Sequence, residues 1–262
     1  MKAFIKLILY RPLFNALMLL VFIMPGNNVG LAIIVLTIIV RLILMPSSLK
    51  AMHQQRRMQE LQPEIQALQE KYKDDRAKLA EELTRYYKEN KINPLGSCLP
   101  LLIQLPILII LYYVFINGLS TERFDLLYDW MPRPDTVKTM FLGLDLSKPD
   151  RWILPLIAGA LQFVQSWQIM PKMKPTGGDN KQQMAQMMSK QMMYLMPVFT
   201  VFIAGRLPAA LPLYWAVTTL FSVGQQWWVY RGKPETKVKN KELADEKKTI
   251  KRGVAITVRK KK

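Results

Sequence analysis

The chain has 262 residues, half of them hydrophobic, and a net charge of +18 from 37 Lys and Arg against 19 Asp and Glu. A lone cysteine, Cys98, excludes an intrachain disulfide, and a lone histidine, His53, excludes a histidine metal centre. The apolar residues lie in long blocks with the charges between them, which argues against a soluble domain and predicts a polytopic α-helical membrane protein.

Residues 1–24 carry Lys2, Lys6, Arg11 and Pro12 among apolar residues. A basic start before an apolar middle is the pattern of a signal peptide. No small-residue cleavage site follows, and Pro25-Gly26-Asn27-Asn28 reads as a turn. Residues 1–28 are therefore expected to hold an amphipathic helix in the outer membrane interface. A signal or an extra span are the alternatives.

The stretch from Val29 to Pro46, VGLAIIVLTIIVRLILMP, is apolar except for Arg41 and Thr37. As a helix it rises roughly 25 Å, close to the hydrocarbon thickness of a bilayer. An arginine inside such a span costs ~3 kcal/mol on insertion scales and ~10 or more in simulations. It must pair, snorkel to the headgroups or face water.

Residues 47–93 bear ten Lys/Arg and eight Asp/Glu. Leu61, Ile65, Leu68 and Tyr72 recur at helical spacing, as do Leu79, Leu83 and Tyr86. This predicts a helical hairpin outside the membrane, with its turn at Asp74-Asp75 and a kink or break at Pro63. His53 reads as an interfacial residue.

Four further apolar blocks, about 95–117, 152–170, 192–204 and 207–230, complete a predicted set of five spans with 29–46. The loops between them are 118–150 and 171–191, and a basic tail occupies 233–262. The tail is poor in hydrophobic residues, which predicts disorder. Met184, Met187, Met188, Met192, Met193 and Met196 fall at helical spacings, suiting either a lipid anchor or a surface for varied apolar segments. Lys and Arg number ten in the hairpin, four in 171–191 and thirteen from Arg231 onward, against four in 118–150. The richer side is cytoplasmic, so the amino end is expected outside and the carboxyl end inside.

No Asp or Glu lies between Glu89 and Glu122, between Asp150 and Asp179, or between Asp179 and Glu235. The predicted spans thus hold no carboxylate for Arg41. Snorkelling is one reading, since Arg41 is a turn from the cytoplasmic end of its span. The other is a hydrated hollow lined by Arg41, Thr37, Gln104, Gln165, Thr218, Ser222 and Gln225, polar groups on several spans. The same absence argues against cation-coupled transport. No nucleophile–base pair, zinc motif or phosphate loop is visible, so the chain is not read as an enzyme and no cofactor is expected.

The strings GLAIIVLTIIVRLILMP, MQELQPEIQALQEKYKDD, KINPLGSCLPLLIQLPI and LYWAVTTLFSVGQQWWVYR together resemble the YidC-type membrane protein insertases, to which mitochondrial Oxa and chloroplast Alb proteins are related. The resemblance covers 29–232 and implies an all-α fold. Five membrane helices would surround a hydrophilic groove open to the cytoplasm, with a cytoplasmic hairpin beside it. It implies that Arg41 is the groove arginine, Thr37 the polar residue one turn away, Gln165 a further lining residue and Trp215 an aromatic facing substrate. It implies nascent membrane proteins as substrates and a ribosome met through the basic tail, in the bacterial cell membrane; a Sec translocon and signal recognition machinery are candidate partners, with Sec-dependent and Sec-independent action both open. Residues 1–28 depart from the pattern in having neither a lipoprotein signal with a cysteine nor a large outer domain, so help with outer-membrane assembly is not implied. A ribosome-anchoring scaffold and a small-anion carrier are the competing classes.

Overall fold

The computed structural model describes residues 10–90, 92–93, 104, 107–114, 127–132, 137–170 and 180–232, the side chains of 180–190 and 192 excepted. Expectations for residues 1–9, Cys98, most of 95–117, the loop at 171–179, the side chains of Met184, Met187, Met188 and Met192, and the tail at 233–262 lie outside the described residues. The chain divides into two compact units, Met1–Leu49 with Cys98–Trp227, and Lys50–Ser97 with Trp228–Lys262.

In the first unit, α1 spans Arg11–Ile23, with Pro12 in its first turn, where a missing N–H costs nothing. One face, Phe14, Leu17, Met18 and Val21, is wholly buried. Asn15, also buried, is saturated: its Nδ2 donates to the Arg11 carbonyl at 2.7 Å and its Oδ1 accepts from the Tyr128 N–H at 2.8 Å. A short 3₁₀ turn, Pro25–Asn27, leads to α2 at Val29–Ile43, capped by the Asn28 side chain accepting from Leu31 N–H at 3.2 Å. Val29, Ala32, Ile33 and Leu36 pack with the α1 face, with Ile110, Leu111 and Val114 of the helical stretch 107–114, and with Leu211, Leu213 and Tyr214. Leu44 interrupts the helix, and α3, Met45–Glu60, restarts with Pro46 in its first turn.

The loop expected at 118–150 contains a small β-hairpin, a departure from an all-α chain. Strand β1, Met140–Phe141, pairs antiparallel with β2, Leu144–Asp145, around Leu142 and Gly143, both in left-handed backbone at φ 48° and 81°. Two residues per strand are too few to leave a period-2 pattern in a sequence. The segment around the hairpin supplies acceptors to three helix starts. Lys138 C=O accepts from Val29 N–H at 3.1 Å; Leu146 and Lys148 carbonyls accept from Ala210 and Ala209 N–H at 3.0 and 2.9 Å. The Asp150 carboxylate accepts from the N–H groups of Trp152, Ile153 and Leu154 at 3.1, 3.3 and 2.6 Å. Helix N-termini always leave such donors orphaned, and here one stretch of chain satisfies them.

Helix α6 is Ile153–Ile169, α7 is Asn180–Ala204 and α8 is Ala210–Arg231. Helices α6 and α7 meet closely at Gly159, where any Cβ would strike Val201. Helix α7 starts well before the apolar run at Met192, so its first part corrects the loop expected at 171–191. The Gln, Lys and Met of 180–191 are strong helix formers, and hydropathy marks an apolar stretch rather than a helix boundary. Among the described residues no single helix is long and apolar enough to cross a membrane. The broken pair α2 and α3 passes that test jointly, and α1, α6 and Met193–Ala204 are apolar but shorter.

In the second unit, α4, Gln62–Lys71, follows α3 after Leu61, with Pro63 in its first turn. Residues 72–75 turn the chain, and α5, Arg76–Glu89, starts with the Asp75 carboxylate accepting from Lys78 N–H at 3.0 Å. Leu61, Ile65 and Ile92 form a small core covered by Met58, Leu83, Tyr86 and Tyr87. The Tyr86 hydroxyl donates to Glu64; burial and that carboxylate raise its pKa above the ordinary tyrosine range.

Candidate polar site around Arg41

Helix α2 presents Thr37 and Arg41 one turn apart on one face. Thr37 is buried, and its hydroxyl donates back to Ile33 C=O at 2.6 Å, so it brings no free donor to the site. Arg41 is half-buried in the last turn of α2. Its Nη2 donates to Gln104 Oε1 at 3.3 Å, a long bond to a neutral acceptor. Gln104 Nε2 in turn donates to the Tyr214 hydroxyl. No salt bridge reaches Arg41 among the described residues. Three helical segments far apart in sequence thus contribute one arginine, one amide and one phenol in series.

Beside this chain lies a narrow recess with room for about one water molecule. Leu13, Ile33, Leu36, Val40, Ile107 and Leu111 line it, with Thr37 and Tyr214. Its walls are mostly aliphatic, so the polar groups flank the recess more than they fill it.

Helix α8 places the remaining residues. Thr218, Ser222 and Gln225 are buried on it. The Ser222 hydroxyl donates to Thr218 C=O at 3.0 Å. Gln225 Nε2 donates to the Ser48 hydroxyl at 3.1 Å, which itself donates to Met45 C=O at 3.0 Å. Gln165 on α6 and Trp215 on α8 are half-buried and stand outside the Arg41–Gln104–Tyr214 series. The aromatic that joins Arg41's network is Tyr214, one residue before Trp215 and so rotated roughly 100° around the helix. Its signal was present in the sequence: 214, 218, 222 and 225 follow the i, i+4, i+8, i+11 ladder of one helix face. Ser48 had no such signal, being a short polar residue after a proline.

The sequence profile of the 60Kd inner membrane protein family matches residues 21–237, a stretch holding Arg41, Gln104 and Tyr214. The chain belongs to this family. Among curated relatives, one from Clostridium tetani, called membrane protein insertase YidC, is 41% identical over 203 residues, covering 77% of this chain and 81% of the relative. Relatives of the same name from Lawsonia intracellularis and Ectopseudomonas mendocina are 38% and 37% identical over 225 and 206 residues, covering 86% and 78% of this chain. The chain spans only 39% and 31% of those two. The resemblance to YidC-type proteins read from the apolar strings therefore holds over most of the chain, and the fold around the site is mostly helical.

Proposed function

We propose that this chain is a membrane protein insertase that receives the polar tail of a nascent membrane protein at Arg41 and releases its apolar segment sideways into lipid. The observation that carries this reading is the guanidinium of Arg41, whose described partner is the neutral amide of Gln104 at 3.3 Å. A carboxylate on an incoming tail would make a shorter, charge-assisted bond and displace that amide. Gln104 would stay tethered to Tyr214, ready to return when the tail leaves. In a low-dielectric setting each polar group of the tail otherwise faces a desolvation cost of several kcal/mol. The recess beside Arg41 is too tight for a peptide, so the helices must part as the tail arrives.

In this reading Arg41, Thr37, Gln104, Gln165, Trp215, Thr218, Ser222 and Gln225 line a hydrophilic groove among five spans, with the amino end outside and the carboxyl end cytoplasmic. Release into lipid is driven by hydrophobic partition, so no nucleotide is hydrolysed. The relatives' name, membrane protein insertase YidC, supports nascent membrane proteins as the substrate class. The thirteen Lys and Arg from Arg231 onward suit phosphate contacts with ribosomal RNA, and a Sec translocon is a further candidate partner.

The test is insertion of single-span substrates into vesicles containing either the native protein or Arg41→Ala. Acidic-tailed substrates should lose insertion at least about tenfold, the equivalent of one lost charge-assisted bond of ~1.4 kcal/mol or more. Neutral-tailed substrates should change far less. Equal losses for both would remove the charge from the mechanism. A photo-crosslinker at Trp215 separates the competing classes: contact with a stalled nascent chain supports an insertase, and contact made only from the tail supports a ribosome anchor. Anion flux into empty vesicles would favour a carrier.

A further inference from the structure

The turn of the β1–β2 hairpin is built against two preferences at once. A two-residue hairpin turn with both central residues in left-handed backbone calls for Asn, Asp or Gly at the first position, because a Cβ is strained there. This chain has Leu142, at φ 48°. That leucine is also 87% exposed, and Met140 beside it is 55% exposed. In water the choice loses on both counts. The opposite face of the hairpin is packed: Phe141 and Leu144 lie against the main core, and Leu146 is wholly buried. The tip is held firmly from beneath. Asn28 Nδ2 donates to Met140 C=O at 3.0 Å, Lys138 N–H to Asn27 C=O at 3.1 Å, and Leu146 N–H to Thr139 C=O at 2.9 Å.

We infer that the β1–β2 hairpin is a lipid-inserting tip, which seats Leu142 and Met140 in the phospholipid interface on the side where α6 begins. Two observations choose lipid over another occupant. The hairpin runs within a few residues into α6, whose exposed Trp152, Ile153, Leu156 and Ile157 form an apolar outer surface on a chain of an inner-membrane family. A tryptophan at the end of such a surface is a usual marker of the headgroup level. Exposed Lys138 stands at the base before β1, and Met140 to Leu144 carry no charge, while the charge of Lys148 after β2 is met by Asp145 at the end of β2, 3.2 Å away. Lys138 stands four residues from Leu142, roughly 13 Å along an extended strand. An apolar tip with a cation set back from it matches the layering of acyl chains beneath phosphates. Membrane contact turns the exposure of Leu142 from a penalty into a gain, and leaves the leucine's left-handed backbone as the cost of presenting it. The inference rests on membrane residence and not on the Arg41 mechanism, so either can fail alone.

The experiment uses the full chain with Cys98→Ser, carrying Leu142→Cys or, as control, Ser147→Cys, each labelled with an environment-sensitive fluorophore. Ser147 is exposed on the same segment but beyond β2. Both proteins are reconstituted into phosphatidylcholine vesicles containing phosphatidylglycerol. The Leu142 site should emit to the blue of the Ser147 site. It should be quenched several-fold more by nitroxide-bearing lipid, and several-fold less by aqueous iodide. Equal iodide quenching at the two sites would place the tip in water and overturn the inference. Protection of the Leu142 site from both quenchers would mean that protein covers it, which overturns it equally. A fluorophore dragged into lipid by its own apolarity would move both sites together, and that too would count against the hairpin.

Discussion

Arg41 and Arg56 invite comparison, one in each unit. Arg56, on α3, is buried and saturated: Nη1 donates to Val229 C=O, Nη2 to Gly232 C=O, and Nε to the Glu60 carboxylate at 3.0 Å. Its guanidinium also lies 5.9 Å from the centre of the Tyr230 ring. Val229 and Gly232 belong to the last turn and exit of α8, where helix carbonyls lack intrahelical partners and the macrodipole favours a cation. Among the described residues Arg41 has one long bond to a neutral amide. Arg56 thus commits all three of its nitrogens to internal acceptors, whereas among the described residues Arg41 commits one. Burial alone does not tell these two charges apart; the kind of partner each has does.

The sharpest way to break this comparison is Arg56→Ala. It takes the guanidinium away from the Glu60 carboxylate and frees two helix-end carbonyls, so the second unit should lose on the order of 3 kcal/mol. Thermal unfolding in detergent, followed at the aromatic residues of 228–230, should report a melting temperature lower by several degrees. Arg56→Lys should recover only part of the loss, because an ammonium cannot span two carbonyls and a carboxylate as a planar fork does. A melting temperature unchanged by Arg56→Ala would mean that the saturated geometry stabilises nothing.

Arg41→Ala should behave in the opposite way. The substitution removes one charge and one weak hydrogen bond, and any change in stability should stay within about 1 kcal/mol while insertion of acidic-tailed substrates falls. Tyr214→Phe sharpens the point. It deletes the far end of the series, leaves Gln104 freer to swing, and should cost about 1 kcal/mol at most. Acidic-tailed insertion should then fall less than with Arg41→Ala, since the charge remains. A large drop in melting temperature for Arg41→Ala would make this arginine structural after all.

How much of this contrast could be read beforehand follows from where each partner lies. Arg41 was legible because an ionised group in an apolar run needs explaining wherever it occurs, and the absence of acids in the spans is a matter of enumeration. Gln104 was legible as a type, a polar group in another apolar block, but its pairing was not. The family resemblance points to Trp215, whereas the helix ladder through Thr218 and Ser222 points to Tyr214. Arg56 carries only the signal of an i, i+4 pair with Glu60. Apart from Glu60 four residues on, its partners are backbone carbonyls 173 and 176 positions away, and every residue type carries those. The clamp formed by 138–150 was hidden for the same reason, since its bonds to Val29, Ala209 and Ala210 join main chain to main chain. Local signals fared better: Pro46, Pro63 and Asp75 stand at helix starts because their effects act within one turn.

Acidic and phenolic groups give the smallest expected effect and the finest test of the contrast between the units. In the first unit, the Ser147 hydroxyl and N–H bond the Asp145 carboxylate at 2.6 and 3.1 Å and hold its pKa well below the usual carboxylate range. Lys148 adds to this at 3.2 Å. A depressed folded pKa contributes stability that is present above the unfolded value, near 4, and is lost as pH falls toward the folded one. In the second unit, burial and the Glu64 hydrogen bond raise Tyr86, so its contribution is complete below the unfolded value, near 10, and fades as pH climbs beyond it. Amide exchange measured in detergent should therefore show protection at Leu146 weakening below about pH 4, and Asp145→Asn should flatten that dependence. The Tyr86 hydroxyl, followed by its ultraviolet absorbance, should ionise only above the ordinary tyrosine range, and Glu64→Gln should bring it closer to ordinary. If Tyr86 ionised near pH 10 in the native chain, its bond to Glu64 would be absent in solution, and the packing of α4 on α5 would rest on the apolar cluster of Leu61, Ile65, Leu83, Tyr87 and Ile92.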